Sequence, residues 1–341
     1  MCKLQISKKA HYVPQVYLRC FIDDKSCRSA DSSSFHLSVF DKINKKQFSS
    51  NIKDIAEERF FYTLTQRDSV TLPEHIRDSI KKVQSKSNIV ITDEIERKLS
   101  KIEGRYPLFY KEVVERVRNY RVKNPVPLLC ENEKSMIIQY LIIQLLRSPK
   151  YRNVLQEINQ ERANIIKRND SKNARNIEGA NLLGVVDHVT EKDKEEAINL
   201  LKSSMMSKTQ QLNKIFNLDI WKFYENIFSS HKLVIFNNKT RFPFFTSDTP
   251  VAITRDESKS KFSWRTCSLY YPLNNKLILV LLPKISKNKG LRDNSLMNLY
   301  KKDEQDVRQI NMIQIDNACQ YIYSSCDDFS LVKVWRRELD I

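Results

Sequence analysis

Glycine is scarce: the 341-residue chain has four, at positions 104, 179, 184 and 290. None is spaced to form the tight backbone cradle that Walker-type and Rossmann-type loops build around phosphate, which argues against both nucleotide-binding classes. Ser247 sits in Phe-Thr-Ser-Asp-Thr without a flanking glycine, so the sharp turn of a hydrolase nucleophile elbow is missing too. The seven cysteines, at 2, 20, 27, 130, 267, 319 and 326, are odd in number and contain no Cys-x-x-Cys pair. A chain of this size needs no disulfide staples, so a reducing, cytoplasmic setting is expected. The five histidines, at 11, 36, 75, 188 and 231, have no metal-ligand companion at His-x-x-x-His spacing, and neither a metal nor another cofactor is expected from them. Long apolar runs are also lacking. The longest, Met136 to Leu146, is interrupted by Gln139 and Gln144 and falls short of the roughly 20 residues of a membrane helix, so no membrane partner is expected.

What the chain has in excess is positive charge. Lysine and arginine total 58 against 41 acids, a formal net charge of +17. Such an excess attracts polyanions and gains free energy by releasing their condensed counterions, which makes nucleic acid the expected partner. The basic residues gather at Arg116, Arg118, Arg121 and Lys123 and again at Lys167 and Arg168, with Tyr106, Tyr110 and Tyr120 interleaved near the first group. Solvated helix faces in a lysine-rich chain account for the same residues without a ligand.

At 41% hydrophobic residues the chain can bury a substantial core as a single large domain, residues 1–341. Three sub-regions differ in periodicity. In residues 1–62, Pro14 presets the first turn of a short helix with Tyr17, Leu18 and Phe21 on one face, Phe35 to Phe40 and Gln47 to Ser49 read as a hairpin, and Ile52 to Tyr62 reads as a helix. Residues 92–230 are helical: Ile95, Leu99, Ile102 and Tyr106 form a stripe, with Thr92 or Asp93 as cap and Glu96 placed for a capping box. The prolines at 125 and 127 break that segment, a long helix follows from about Asn132, and another spans about Glu191 to Ser230. The polar stretch from Asn169 to Asn181 reads as an excursion. In residues 231–341 the period falls to two at Leu233 to Phe236, Phe242 to Phe245, Val251 to Thr254 and Leu277 to Leu282, returns to helical over Val307 to Cys319, and closes with strands at Tyr321 to Tyr323 and Leu331 to Trp335. These periods predict an α+β protein, its helical middle packed against a mostly antiparallel sheet that the C-terminal third forms with the N-terminal hairpin.

Three short motifs stand out: His11-Tyr12-Val13-Pro14, Gln144-Leu145-Leu146-Arg147, and Thr246-Ser247-Asp248-Thr249-Pro250. Together they resemble the signature of a bacterial family, domain-of-unknown-function family 4238, and span most of the chain. The resemblance implies a family and an architecture without naming an activity. It also marks His11, Gln144, Arg147, Ser247 and Asp248 as the positions where family similarity falls on polar residues.

Those residues carry a chemical reading of their own. The helix around Gln144 is apolar on nearly its whole circumference, so Tyr140, Gln144, Arg147 and Tyr151 must form a buried polar stripe. A buried guanidinium needs a partner: a carboxylate, with Asp248 or Glu103 the candidates, or a bound phosphate. If the motifs converge, His11 is placed to act as general acid or base, Arg147 to stabilise developing charge, Gln144 to orient, and Asp248 to hold the histidine tautomer. That describes a metal-independent ribonuclease. An alternative takes Asp248 with Glu257 and Lys259 as a magnesium-dependent nuclease core. Another takes the chain as a non-catalytic module binding nucleic acid or protein, in which Ser247, Asp248 and His11 only fix local structure.

Overall fold

The computed structural model describes residues 9–22, 35–59, 61–62, 64–65, 89–90, 93–120, 127–168, 191–255, 263–284 and 291–339. The chain opens with strand β1 (Lys9–His11), after which Pro14 caps helix α1 (Gln15–Leu18), which continues as a single turn to Phe21. Tyr17, Leu18 and Phe21 are fully buried, as their spacing predicts. The hairpin follows as β2 (His36–Asp41) and β3 (Lys46–Asn51), turning through Lys45 at a φ of 60°.

The expected helix over Ile52 to Tyr62 does not form. The backbone turns instead through Ala56, at a φ of 53°, into β4 (Glu57–Arg59), which pairs antiparallel with β1. Tyr12 donates its backbone N–H to the Ala56 carbonyl at 3.0 Å, so a long-range partner outcompetes the local helix. A small pair, β5 (Leu64–Thr65) with β6 (Ile89–Val90), precedes the helical region.

Helices α2 (Asp93–Glu103) and α3 (Tyr106–Asn119) divide the first helical segment at Gly104 and Arg105. Ile95, Leu99 and Tyr106 of the expected stripe are buried; the side chains of the proposed capping box and Pro125 lie outside the described residues, while Pro127 is exposed just ahead of the next helix. Helix α4 (Glu131–Arg147) is buried at every residue from Tyr140 to Arg147, and α5 (Pro149–Lys167) follows without a loop. The break between them is held by Gln211, whose amide donates to the carbonyls of Leu146 and Ser148 at 2.9 and 3.1 Å. The single helix expected from Glu191 to Ser230 is three: α6 (Glu191–Lys202), α7 (Ser204–Phe216) and α8 (Leu218–Phe228). Side chains that compete for backbone N–H groups start the second and third: Ser203 accepts from Met206, and Asn217 from Asp219 and Ile220.

The C-terminal third supplies two sheets. A five-stranded sheet runs in the order β12 (Ser295–Leu299), β7 (Lys232–Asn238), β11 (Leu277–Leu282), β10 (Ser268–Pro272), β9 (Ala252–Thr254), antiparallel except for β12 beside β7. Every residue of β11 is buried, so this central strand is apolar throughout. A four-stranded antiparallel sheet runs β3, β2, β13 (Tyr321–Ser324), β8 (Thr246–Ser247), so the N-terminal hairpin joins the C-terminal region as expected. The extended run expected at Phe242 to Phe245 is strand only from Thr246.

Helix α9 (Glu304–Asn317) matches the expected helical period, whereas Leu331 to Trp335 is not a strand but part of α10 (Ser330–Leu339). Asp328 accepts the Ser330 N–H at 2.9 Å as a cap, and Phe329 and Val332 then fall on one face against Phe40, Phe245 and Ile315. The fold is α+β. One hydrophobic cluster runs from Ala10 through the helices to Tyr323.

Candidate functional site

Arg147 closes α4 with 1% of its surface exposed and all three guanidinium nitrogens engaged. Nε donates to the Tyr62 hydroxyl at 3.0 Å, Nη1 pairs with the Glu103 carboxylate, and Nη2 donates to the backbone carbonyl of His11. Burial alone would make it less basic, but Tyr62 and Glu103 hold its pKa above the ordinary arginine value. Of the two carboxylates expected as its partner, Glu103 is the one in contact. Gln144, one turn earlier, is equally buried, and neither of its amide atoms has a hydrogen-bond partner among the described residues.

His11 is the accessible member of this group, its side chain 21% exposed. The Gln15 amide nitrogen donates to Nε2 at 2.8 Å, and a Glu57 carboxylate oxygen lies 4.0 Å from the same atom. With the Gln15 nitrogen turned toward it Nε2 accepts, so the ring tautomer follows the orientation of the Gln15 amide. Burial lowers the His11 pKa, with Glu57 opposing the shift.

Ser247 ends β8 of the four-stranded sheet and Asp248 follows it in the bend; they are 0 and 2% exposed. The Asp248 carboxylate accepts three successive backbone N–H groups, from Cys319, Gln320 and Tyr321, at 2.8, 2.6 and 2.9 Å. It thereby anchors the link between α9 and β13. Burial raises its pKa against the pull of those N–H groups and of nearby Lys42. Ser247 Oγ accepts from Gln314 at 3.0 Å and from the Thr249 N–H at 3.1 Å. The tautomer-holding role expected of Asp248 therefore falls to other groups: the ring of His11 faces Gln15 and Glu57, while the Asp248 oxygens face peptide groups. Glu257 and Lys259, needed for the magnesium-dependent core, lie outside the described residues. Among the described residues no group of three or more His, Cys, Asp or Glu side chains is assembled to hold a metal ion.

The three motif segments do meet. His11 reaches the second through its carbonyl on Arg147, and Tyr17 reaches the third through its hydroxyl, 2.7 Å from Thr246 Oγ1 and donating to the Pro272 carbonyl at 2.8 Å. What they build is largely sealed: a junction of β1, α1, α4 and β8 in which His11, Gln15 and the carboxylates of Glu57 and Glu103 keep partial contact with solvent. Sequence reasoning missed Glu57, Gln15, Tyr62 and Gln314, which complete it. Only Gln15 carried a local signal, four residues after His11; the others arrive from distant elements. It also missed Arg152 of α5, 6% exposed, held by Gln211 and the Phe61 carbonyl at 2.9 Å each, whose pKa burial brings down to about 10 despite Glu58.

The expected nucleic-acid contacts divide. Arg116 is gripped by Glu133 through two bonds at 2.5 and 2.7 Å and donates to the Leu128 carbonyl, an arrangement that holds the Glu133 carboxyl down at about 2. Its guanidinium joins α3 to the start of α4. Arg118, Lys167 and Arg168 are exposed, whereas Arg121 and Lys123 lie outside the described residues.

The site and the fold define an α+β protein whose signature segments form one buried junction with an accessible histidine at its edge. The chain belongs to the family described as Protein of unknown function (DUF4238), whose sequence profile matches residues 9–328. Comparison with curated proteins and with solved structures gives no match.

Proposed function

We propose that this protein binds nucleic acid through its positive surface, and that the signature residues hold the binding scaffold together. One observation carries the reading: Gln144, Arg147, Ser247 and Asp248 are at most 2% exposed, while Arg118, Lys167 and Arg168 stand in solvent on a chain of net charge +17. Exposed cations attract phosphate, whereas a guanidinium with every nitrogen already donating has no face left for it.

A second reading rests on His11. A neutral imidazole with a carboxylate 4.0 Å away is suited to take and return a proton, so cleavage of RNA would be centred on His11 and Glu57. Arg147 would then act by positioning the His11 backbone.

Binding of single-stranded RNA and duplex DNA at about 50 mM salt, followed by titration to about 200 mM, tests the first reading. A fall of roughly a hundredfold or more in affinity across that range is expected; no binding at the lower salt overturns it. Incubating the same RNA with the protein and with His11→Ala tests the second. Cleavage that the variant loses while its binding is kept supports it, and absence of cleavage removes it.

A further inference from the structure

A cavity of about 170 Å³ lies between α2, α3, α4 and α8, with walls formed by Tyr106, Phe109, Tyr140 and Trp221. The walls are preset. The Trp221 indole is fixed by donating to the Ile215 carbonyl at 2.6 Å, and Tyr106 and Tyr140 are stacked with ring centroids 4.7 Å apart. Two cations line the same cavity, Lys101 and Arg105, and both are exposed, which places them at its mouth. Gln139 of α4 is half-buried in the wall and brings a donor and an acceptor on one planar group. Its Nε2 lies 3.5 Å from Glu225, which is itself bonded by the Ser135 hydroxyl, so the amide has a fixed approach.

Aromatic walls, an amide and a cationic mouth are complementary to a flat ring that carries an anion. The volume limits the ring, since a cavity of about 150 Å³ takes one benzene-sized ring. We propose that this cavity is a binding site for a pyrimidine nucleotide: the base enters between the aromatic walls, Gln139 reads its polar edge, and Lys101 and Arg105 hold the phosphate. Stacking on aromatic side chains is how proteins take unstacked bases from single strands, and a mononucleotide offers the same chemistry without the strand. The strand source rests on the nucleic-acid reading above; the mononucleotide source does not.

Calorimetric titration of the full chain with UMP, uridine, AMP, oligo-U and oligo-A distinguishes these sources. UMP is expected to bind about tenfold tighter than uridine, the worth of one charge-assisted phosphate contact, and tighter than AMP. Arg105→Ala, at an exposed position, should narrow the advantage over uridine, since Lys101 still faces the phosphate, and Gln139→Leu should weaken UMP and uridine alike. Oligo-U binding that UMP competes away supports the site as a base pocket of a strand. UMP binding without any oligonucleotide binding supports the site and removes the nucleic-acid reading. Oligonucleotide binding that neither UMP nor the two variants affect leaves that reading standing and overturns the pocket, while no binding of any probe overturns both.

Discussion

At the level of single residues, the cost of replacing a buried polar group depends on what it leaves behind. Asp248 is the clearest case: removing its carboxylate strands three partly buried peptide N–H groups, each costly to leave without an acceptor. Asp248→Ala is expected to destabilise the protein by roughly 3 kcal/mol, and Asp248→Asn, which keeps one oxygen, by less. Denaturant unfolding measures both, and equal losses would contradict the carboxylate's role as a three-fold acceptor. The sequence made several of these residues legible because an amphipathic pattern tells which polar side chains have nowhere to go. The pattern alone places Arg147 inside and requires an anionic partner for it, a carboxylate or a phosphate. Which carboxylate was not legible, since Glu103 and Asp248 satisfy the same electrostatic need and only the fold brings Glu103 to the end of α4. Glu57 and Gln314 were silent for the same reason: neither motif nor period links them to His11 or Ser247.

At the level of elements, periodicity found most helices and strands and failed where a local signal met a stronger competitor. Ile52 to Tyr62 has the composition of a short helix, but pairing of Glu57–Arg59 with Lys9–His11 takes its backbone. Leu331 to Trp335 alternates like a strand, yet the Asp328 cap and the apolar contacts of Phe329 and Val332 wind it into α10. From Glu191 to Ser230 the helical period is genuine but its continuity is not, because Ser203 and Asn217 cap new helices within it. Asn217→Ala removes an acceptor serving two N–H groups, at 2.9 and 3.1 Å, and should destabilise α8 by about 1 kcal/mol. A thermal-unfolding comparison with Asn217→Asp, which retains the acceptor, isolates that effect. If both variants melt alike, the cap does not separate the two helices energetically.

For the whole molecule, titration gives the stability a definite pH profile. His11 and the buried His231 have pKa values held below 6.5 by burial, so the unfolded chain takes up their protons first. Their contribution is present above about pH 6.5 and declines as pH falls from there toward the folded values. Glu133, held at about 2 chiefly by Arg116, adds a second window: its contribution is present above its ordinary value of 4.5 and is lost between there and about 2. Melting temperatures at pH 7.5 and 5.5 should therefore differ, with the lower value in acid. Replacing both histidines by glutamine should shrink that difference, whatever it does to stability at pH 7.5; an unchanged difference would assign the acid sensitivity to other groups.

The stitch between Tyr17 and Thr246 joins residues 229 positions apart, and β2 gains its inner neighbour only when Tyr321–Ser324 is in place. Ribosomes deliver chains from the N-terminus, so the opening segment is synthesised long before the partners that complete it. Until Thr246 to Pro272 emerge the buried face of α1 stays open, and until β13 emerges one edge of the hairpin stays exposed to chaperones and proteases. A message truncated before the codons for β13 would therefore yield a hairpin that lacks the inner neighbour of β2.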